Sequence, residues 1–149
     1  MNGAIMFRRG SADIAEITRH LKCCDEAFVP SLSARVGIGE YAAKLHALAE
    51  RFEAWCGGAL VGLVATYCND PERKTAFVTS VSVESAWLGR GVARQLMGQC
   101  VEYARVQGFR RIELEVDAGN ANAICLYEKI GFAAGRTDGR SVHMGLQLD

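Results

Sequence analysis

The chain of 149 residues has no excess of either charge and no long apolar run. Its 17 basic and 17 acidic residues cancel, and the isoelectric point is near 6.8. This balance lacks the electrostatic footprint that binds a nucleic acid or an anionic membrane, so neither is expected as a partner. No apolar run reaches the length of a membrane span, and residues 1–9 lack the basic-then-apolar order of a secretory signal. We therefore expect a cytoplasmic protein.

Spacings typical of metal sites are also missing. No Cys-x-x-Cys pair is present, and His20, His46 and His143 have no partner spacing that indicates shared ligation. No metal site is expected. The six cysteines lie in apolar patterns, with Cys100 and Cys125 on apolar helix faces, and are predicted to be buried free thiols.

Half of the residues are hydrophobic, and they fall into short periodic segments. This length and composition suit a single domain over residues 1–149 that buries about two thirds of its unfolded surface. Alternating or β-branched segments predict strands at 5–9, 52–56, 59–68, 75–83, 112–116, 133–136 and 141–148. Apolar spacing of three and four predicts helices at about 14–24, 40–50 and 91–108, and Ala123, Tyr127 and Ile130 share helical spacing in a later segment.

The most informative segment joins the fourth predicted strand to the helix after it. Residues 88–93 read Leu-Gly-Arg-Gly-Val-Ala, a glycine turn that leads directly into the helix. The first N–H groups of a helix have no intrahelical partner, and Gly89 and Gly91 let a phosphate approach the main chain closely. Arg90 and Arg94 add positive charge beside the turn. The junction therefore predicts a phosphate-binding site.

Other interpretations of this turn have different requirements. The phosphate loop of nucleoside triphosphatases needs a Gly-Lys-Ser/Thr sequence, which does not follow here. The dinucleotide-binding fingerprint requires an acidic residue downstream, and Glu115 lies at about the expected distance. However, the third small residue of that fingerprint would fall at Arg94, and too little chain follows for a doubly wound sheet. A turn that needs glycine for steric reasons alone stays open.

A second motif follows the strand 112–116, where residues 120–132 read NANAICLYEKIGF. Together with the glycine turn, it resembles the acetyl-CoA-binding core of the GCN5-related N-acetyltransferase (GNAT) superfamily, whose segments read Gln/Arg-x-x-Gly-x-Gly/Ala and Leu-Tyr-Glu-Lys-x-Gly-Phe. The close match spans residues 75–133. The resemblance implies an α/β (α+β) fold. Its mixed, mostly antiparallel sheet would have six or seven strands, about four flanking helices and a splay between strands 75–83 and 112–116.

The resemblance also implies the residues of an acetyl-CoA site. Main-chain groups of Val81 and Val83 would pair with the pantetheine arm like an added strand, and Asn120 would hold the arm from the other side. Leu88 departs from the family, which usually has Gln or Arg there, so we expect a modest loss of polar contact and no loss of binding. The full implied set is Val81, Ser82, Val83, Leu88, Gly89, Arg90, Gly91, Val92, Ala93, Arg94, Asn120, Ala123 and Tyr127.

Two residues are the catalytic candidates for acetyl transfer. Tyr127, with a reference pKa near 10, would protonate the departing thiolate, although a core tyrosine would show the same helical spacing. Glu115 is the candidate general base, because strand 75–83 carries no carboxylate where many relatives have glutamate. It lies twelve residues before Tyr127, as in bacterial enzymes that acetylate ribosomal-protein N-termini. Glu113 lies on the same face of the strand, so both carboxylates could simply be solvated. A water chain or the Tyr67 hydroxyl then stays open as the general base.

The acceptor is less defined. Neutralising a lysine-like amine at pH 7 costs about 4 to 5 kcal/mol and an α-amine about 1 kcal/mol, so a weak base favours an α-amino group or an amino sugar over protein lysine. A small-molecule amine, amino sugars included, is the expected acceptor. A protein N-terminal acetyltransferase and a non-catalytic acyl-CoA sensor are the alternatives, and a homodimer stays open. Acceptor choice is expected from residues 28–41 and 136–143. The first of these segments contains Phe28, Pro30, Leu32 and Tyr41. These four side chains either line a pocket or cover the core.

Overall fold

The computed structural model describes residues 4–148 and contains every predicted element. The strands are β1 Met6–Arg9, β2 Glu50–Cys56, β3 Ala59–Tyr67, β4 Thr75–Val83, β5 Arg111–Asp117, β6 Ala133–Asp138 and β7 Ser141–Gln147. The helices are α1 Ile14–Cys23, α2 Ile38–Leu48, α3 Val92–Val106 and α4 Ala121–Ile130. The second helix lies two residues earlier than predicted at both ends, and Glu50 already pairs with Thr66 at the start of β2.

The strands form one sheet in the order β1-β2-β3-β4-β5-β7-β6. Within residues 4–148, β4 and β5 are parallel and all other neighbours are antiparallel, which confirms the mixed, mostly antiparallel sheet. Thr75–Val78 pairs with Arg111–Leu114, after which β4 stays paired with β3 and β5 with β7. The predicted splay is thereby confirmed. We call the gap between 79–83 and 115–117 the wedge.

A bulge in β4 lies at the beginning of the wedge. Ala65 pairs with Ser80 and Thr66 pairs with Val78, so Thr79 is the extra residue. A bulge bends the strand and changes the direction of the side chains that follow. Ser80 and Ser82 become buried, and the Ser82 hydroxyl contacts α1.

Helices cover both faces of the sheet. Helices α1 and α2 pack on a face that presents Leu60 and Leu63, whereas α3 and α4 pack on a face that presents Phe52 and Val64. Helix α1 begins where the Asp13 side chain accepts a hydrogen bond from the N–H of Glu16 at 2.8 Å, as in a capping box. Its buried face consists of Ile17, His20 and Leu21. A histidine thus lies on an otherwise apolar face that packs against the sheet.

A buried carboxylate fastens the segment before α1 to β2. Glu53 is fully buried and accepts hydrogen bonds from the Ser11 hydroxyl at 2.7 Å, the Ala12 N–H at 3.1 Å and the Trp55 indole at 3.1 Å. The Arg51 guanidinium lies 3.5 Å away. Burial acts to raise the pKa of Glu53, but these hydrogen bonds outweigh it and lower the pKa below its usual value. The ionised carboxylate therefore stabilises the fold.

The six cysteines are free thiols, but their burial differs from the prediction. Cys24 and Cys100 are buried, whereas Cys23 and Cys125 are exposed. The prediction of burial was wrong for Cys23, which lies off the buried face of α1, and for Cys125. Tyr127 marks the buried side of α4, and a residue two positions away lies on the opposite side of a helix. Among residues 4–148, no helix combines the length and the apolarity needed to cross a bilayer.

Candidate active site

The turn before α3 has the geometry that the sequence predicted. Gly89 and Gly91 have φ values of +77° and +75°, and a Cβ added at either position would meet no atom within 4 Å outside the adjacent residues. Gly91 precedes the first residue of α3, and no side chain caps that helix end. The N–H groups of its first turn are therefore free to bind an anion. The side chain of Val92 is buried in the core, so this residue offers only its N–H.

The two arginines of this turn are placed differently. Arg90 is exposed, and its guanidinium stacks 4.8 Å from the centre of the Trp87 ring. Arg94 is exposed on the first turn of α3. Leu88 is also exposed, at 60 %, and adds an apolar contact surface where the resemblance noted in the sequence implies a polar side chain.

The wedge opens into a cavity of about 560 Å³. Both parted strands, the beginnings of α3 and α4 and the segment after α1 contribute to its wall. The predicted site residues in this wall are Val81, Ser82, Val83, Leu88, Ala93, Glu115, Asn120, Ala123 and Tyr127. The other predicted residues, Gly89, Arg90, Gly91, Val92 and Arg94, form the turn and the first residues of α3. The structure thus joins both sequence motifs in one site.

Asn120 and Tyr127 bring polar side-chain groups from the α4 segment to the cavity wall. Asn120 is the N-cap of α4, and its side-chain oxygen accepts a hydrogen bond from the Ala123 N–H at 3.3 Å. The side-chain amide nitrogen is the donor that Asn120 offers to a ligand. Tyr127 is 6 % exposed, and burial raises its pKa to about 12. Its hydroxyl therefore stays protonated at every working pH.

Glu115 and Glu113 have different surroundings in the structure. Glu115 lines the cavity with its side chain 46 % exposed, accepts a hydrogen bond from the Ser141 hydroxyl at 2.9 Å and lies 3.9 Å from the His143 ring. Glu113 pairs instead with Arg111 at 2.6 Å, and it is not part of the cavity wall. The Tyr67 hydroxyl is buried without a hydrogen-bond partner among residues 4–148, also outside this wall.

The predicted acceptor segments both reach the cavity. Phe28, Pro30, Leu32 and Tyr41 all lie in its wall, although Leu32 also belongs to the core. From the final hairpin come Asp138, Arg140 and Ser141. The Tyr41 hydroxyl contacts the Thr79 hydroxyl at 2.7 Å and donates to the Thr79 carbonyl at 3.0 Å, and burial raises its pKa. Tyr41 therefore connects α2 to the bulge of β4.

A polar network behind the cavity was missed by the sequence analysis. His20 is fully buried, its Nε2 lies 2.8 Å from the Ser82 hydroxyl, and its Nδ1 lies 3.1 Å from Glu84 Oε2. Arg19 donates to the same Glu84 oxygen at 2.8 Å. Burial acts to raise the pKa of Glu84, but the hydrogen bond from His20 and the charge of Arg19 outweigh it and lower that pKa. The spacing of Ser82 and Glu84 at the end of β4 is a weak sequence signal for this network.

The comparisons with known proteins agree with this geometry. The profile described as "Acetyltransferase (GNAT) family" matches residues 14–132 of the chain. The chain belongs to this family. Among residues 4–148, no three His, Cys, Asp or Glu side chains are grouped so as to hold a metal ion.

Individual relatives share a part of the sequence or the fold. Mycothiol acetyltransferase from Corynebacterium glutamicum is 36% identical over 78 residues, which cover 52% of this chain and 26% of that protein. The match therefore covers about a quarter of the length of that curated relative. The structure of yncA from Salmonella typhimurium, solved with acetyl-CoA, has a TM-score of 0.76 at 23% identity and covers 98% and 95% of the two chains. Ribosomal-protein-alanine N-acetyltransferase from Brucella melitensis has a TM-score of 0.74 at 23% identity, with coverage of 96% and 99%.

Proposed function

We propose that this chain transfers the acetyl group of acetyl-CoA directly to a primary amine of a small molecule, amino sugars included. The observation that carries the proposal is the wedge. It combines an unpaired strand edge, the N-terminus of α3 and a buried tyrosine in one cavity. We further propose that residues 1–149 act as a single catalytic domain and that the protein works in the cytoplasm.

The residues of the site fit acetyl-CoA. The open space at Gly89 and Gly91 and the free N–H groups of the first turn of α3 suit the pyrophosphate, with Arg94 adding positive charge. Main-chain groups of Val81 and Val83 suit the pantetheine arm, since β4 has no strand partner on the wedge side at these positions. When bound, acetyl-CoA supplies the thioester carbonyl and the thiolate leaving group.

Tyr127 has the role of a hydrogen-bond donor to the leaving sulfur. A tyrosine with a pKa of about 12 is a weaker acid than a thiol with a pKa near 8.5, so complete proton transfer is uphill by about 5 kcal/mol. A hydrogen bond to the developing negative charge needs no complete transfer and is strongest in the transition state. The phenol thus stabilises the thiolate while remaining protonated.

The acceptor side combines acidic and apolar surface. Glu115 and Asp138 bring carboxylates to the cavity, and Phe28 and Pro30 bring apolar contact. An exposed carboxylate attracts an ammonium group before the reaction, which gives Glu115 a binding role beside the predicted role of general base. The volume of the cavity is of the size that encloses a small ligand. The name of the Corynebacterium relative, which refers to mycothiol, supports the same class.

Two other functions keep a specific observation in their favour. The Brucella structure and the Glu115 to Tyr127 spacing favour a protein N-terminal acetyltransferase. Leu88 at the turn favours a sensor that binds acyl-CoA without turnover, because it removes a polar contact to the ligand. A homodimer would be compatible with each function.

Calorimetry with acetyl-CoA and thiol release against an amine panel separate these functions. We expect micromolar binding, and turnover of small amines or amino sugars that exceeds turnover of N-terminal peptides. Turnover of peptides alone would favour the protein acetyltransferase. Binding without turnover would favour the sensor, and absence of binding would contradict the acetyl-CoA site itself.

A further inference from the structure

The Ser82, His20 and Glu84 side chains form a continuous chain of hydrogen bonds that ends in the cavity wall. Ser82 lines the cavity, His20 lies behind it without solvent exposure, and Glu84 accepts on the far side of the ring. We propose that this chain is the proton relay that deprotonates the acceptor amine. The inference rests on the proposed function and assigns a base to the same site.

The hydrogen-bond directions follow from the partners. A carboxylate can only accept, so the proton on the ring lies on Nδ1 and is donated to Glu84. The neutral ring then has its lone pair on Nε2, which accepts from the Ser82 hydroxyl. The oxygen of Ser82 keeps lone pairs that can accept a proton from a group in the cavity.

The proton balance of the step is simple. One N–H bond of the acceptor ammonium breaks and a new O–H bond forms at Ser82, while the original hydroxyl proton of Ser82 moves to Nε2 of His20. The amine becomes a neutral nucleophile, and the histidine becomes an imidazolium beside Glu84. The carboxylate stabilises that charge as the third group of a serine hydrolase triad does, although here the serine forms no bond to carbon.

The other groups around His20 are compatible with this role. Arg19 shares the Glu84 oxygen and limits how strongly the carboxylate favours the imidazolium. The Cys24 thiol lies 3.8 Å from Nε2, and burial raises its pKa to about 12, so it stays neutral.

A purely structural network is the competing explanation, since Arg19 also donates to the Leu60 carbonyl at 2.8 Å and fastens α1 to β3. The two explanations differ in the pH dependence of kcat/KM. For the wild type, we expect kcat/KM to have an ascending limb that requires Ser82 and His20. In Ser82→Ala and His20→Gln, kcat should fall about 100-fold, and the ascending limb should move to the pKa of the acceptor amine itself. The KM for acetyl-CoA should change less than twofold, because the main chain of β4 is retained.

Matched variants separate the relay from nearby groups. Ser80→Ala removes the next hydroxyl on the same face of β4, which has no hydrogen-bond partner among residues 4–148, and should leave the pH profile in place. His46→Gln removes an exposed histidine of α2, and His143→Gln removes the ring near Glu115. Loss of the ascending limb in His143→Gln, or an unchanged profile in Ser82→Ala, would overturn the relay. If His20→Gln fails to fold, Ser82→Ala carries the test alone.

Two measurements do not depend on turnover of an amine. Histidine side-chain ¹H–¹⁵N spectra of the full chain should show the Nδ1–H tautomer of His20 near pH 8, and an Nε2–H tautomer would overturn the relay even in an active enzyme. Mass spectrometry after mixing with acetyl-CoA alone should find no acetyl group on Ser82, since an acetylated serine would indicate a covalent mechanism instead. An absence of acetyl-CoA binding or of amine turnover in the wild type would overturn the proposed function, with the tautomer still measurable.

Discussion

Replacing Tyr127 by phenylalanine removes one hydroxyl from the cavity wall and leaves the ring that packs against Phe132. A hydrogen bond to a charged group contributes about 1.5 to 3 kcal/mol, which corresponds to a factor of about 10 to 150 in rate. We therefore expect kcat to fall by that factor. Substrate binding involves little charge on the sulfur, so the KM for acetyl-CoA should change by less than about threefold.

The pH dependence adds a sharper test. Because the pKa of Tyr127 is raised to about 12, the donor stays protonated as the pH rises to about 10, so the hydroxyl contributes no descending limb in that range. The profiles of the wild type and of Tyr127→Phe should be parallel, with a constant ratio of rates. A descending limb below pH 10 that disappears in the variant would show a much more acidic phenol and complete proton transfer.

The assay is thiol release from acetyl-CoA with a saturating amine, followed from about pH 6 to pH 10. Tyr103→Phe is the matched control, because Tyr103 lies on α3 against Phe52, and the Tyr103 ring is outside the cavity wall. It should retain kcat within about twofold. An unchanged kcat in Tyr127→Phe would show that the Tyr127 hydroxyl does not stabilise the leaving thiolate.

Three further changes test the turn, the buried carboxylate and the acceptor side. Gly91→Ala places a Cβ in the open space of the turn and strains a backbone with a φ of +75°. The Kd for acetyl-CoA, measured by calorimetry, should therefore rise about tenfold. The control Gly98→Ala, within α3, should leave that Kd unchanged. Glu53→Gln should lower the free energy of unfolding by about 3 kcal/mol in urea titrations. Since the folded pKa of Glu53 is lowered, this stabilisation is present above the unfolded pKa of about 4.3 and is lost as the pH falls through the folded pKa. A difference that persists undiminished at pH 2 would contradict that assignment. Glu115→Gln should raise the KM for the amine about tenfold and keep the ascending limb of kcat/KM, whereas loss of that limb would make Glu115 the base.

The fold and the glycine turn before α3 were predictable because their signals are local. The strand at 75–83 and the glycines at 89 and 91 are contiguous, and the backbone angles they require are properties of those residues. The relay was not predictable in the same way. Ser82 and His20 are 62 residues apart, and His20 resembles an ordinary helix residue until the packing of α1 on the sheet brings its ring to the strand.

The candidate carboxylate Glu115 illustrates a different limit. Alternation along β5 places Glu113 and Glu115 on the same face, and nothing in the periodicity distinguishes them. The distinction comes from where β5 leaves β4, which depends on the pairing of two strands far apart in sequence. The prediction that Cys125 is buried was wrong for a related reason, because the apolar composition of α4 does not show which side of that short helix faces the sheet.

The wedge also has a mechanical consequence. Within the sheet, β1 to β4 form one block and β5 to β7 another, and the two are joined by four residue pairs, from Thr75–Arg111 to Val78–Leu114. This seam is a weak line inside the sheet, because residues 115–117 of β5 have no partner in β4. A ligand bonded to both sides supplies the missing rungs, and at a concentration one hundred times its Kd it adds about 2.7 kcal/mol to the free energy of unfolding. The resistance of the molecule to unfolding and proteolysis should therefore increase with the concentration of its ligand.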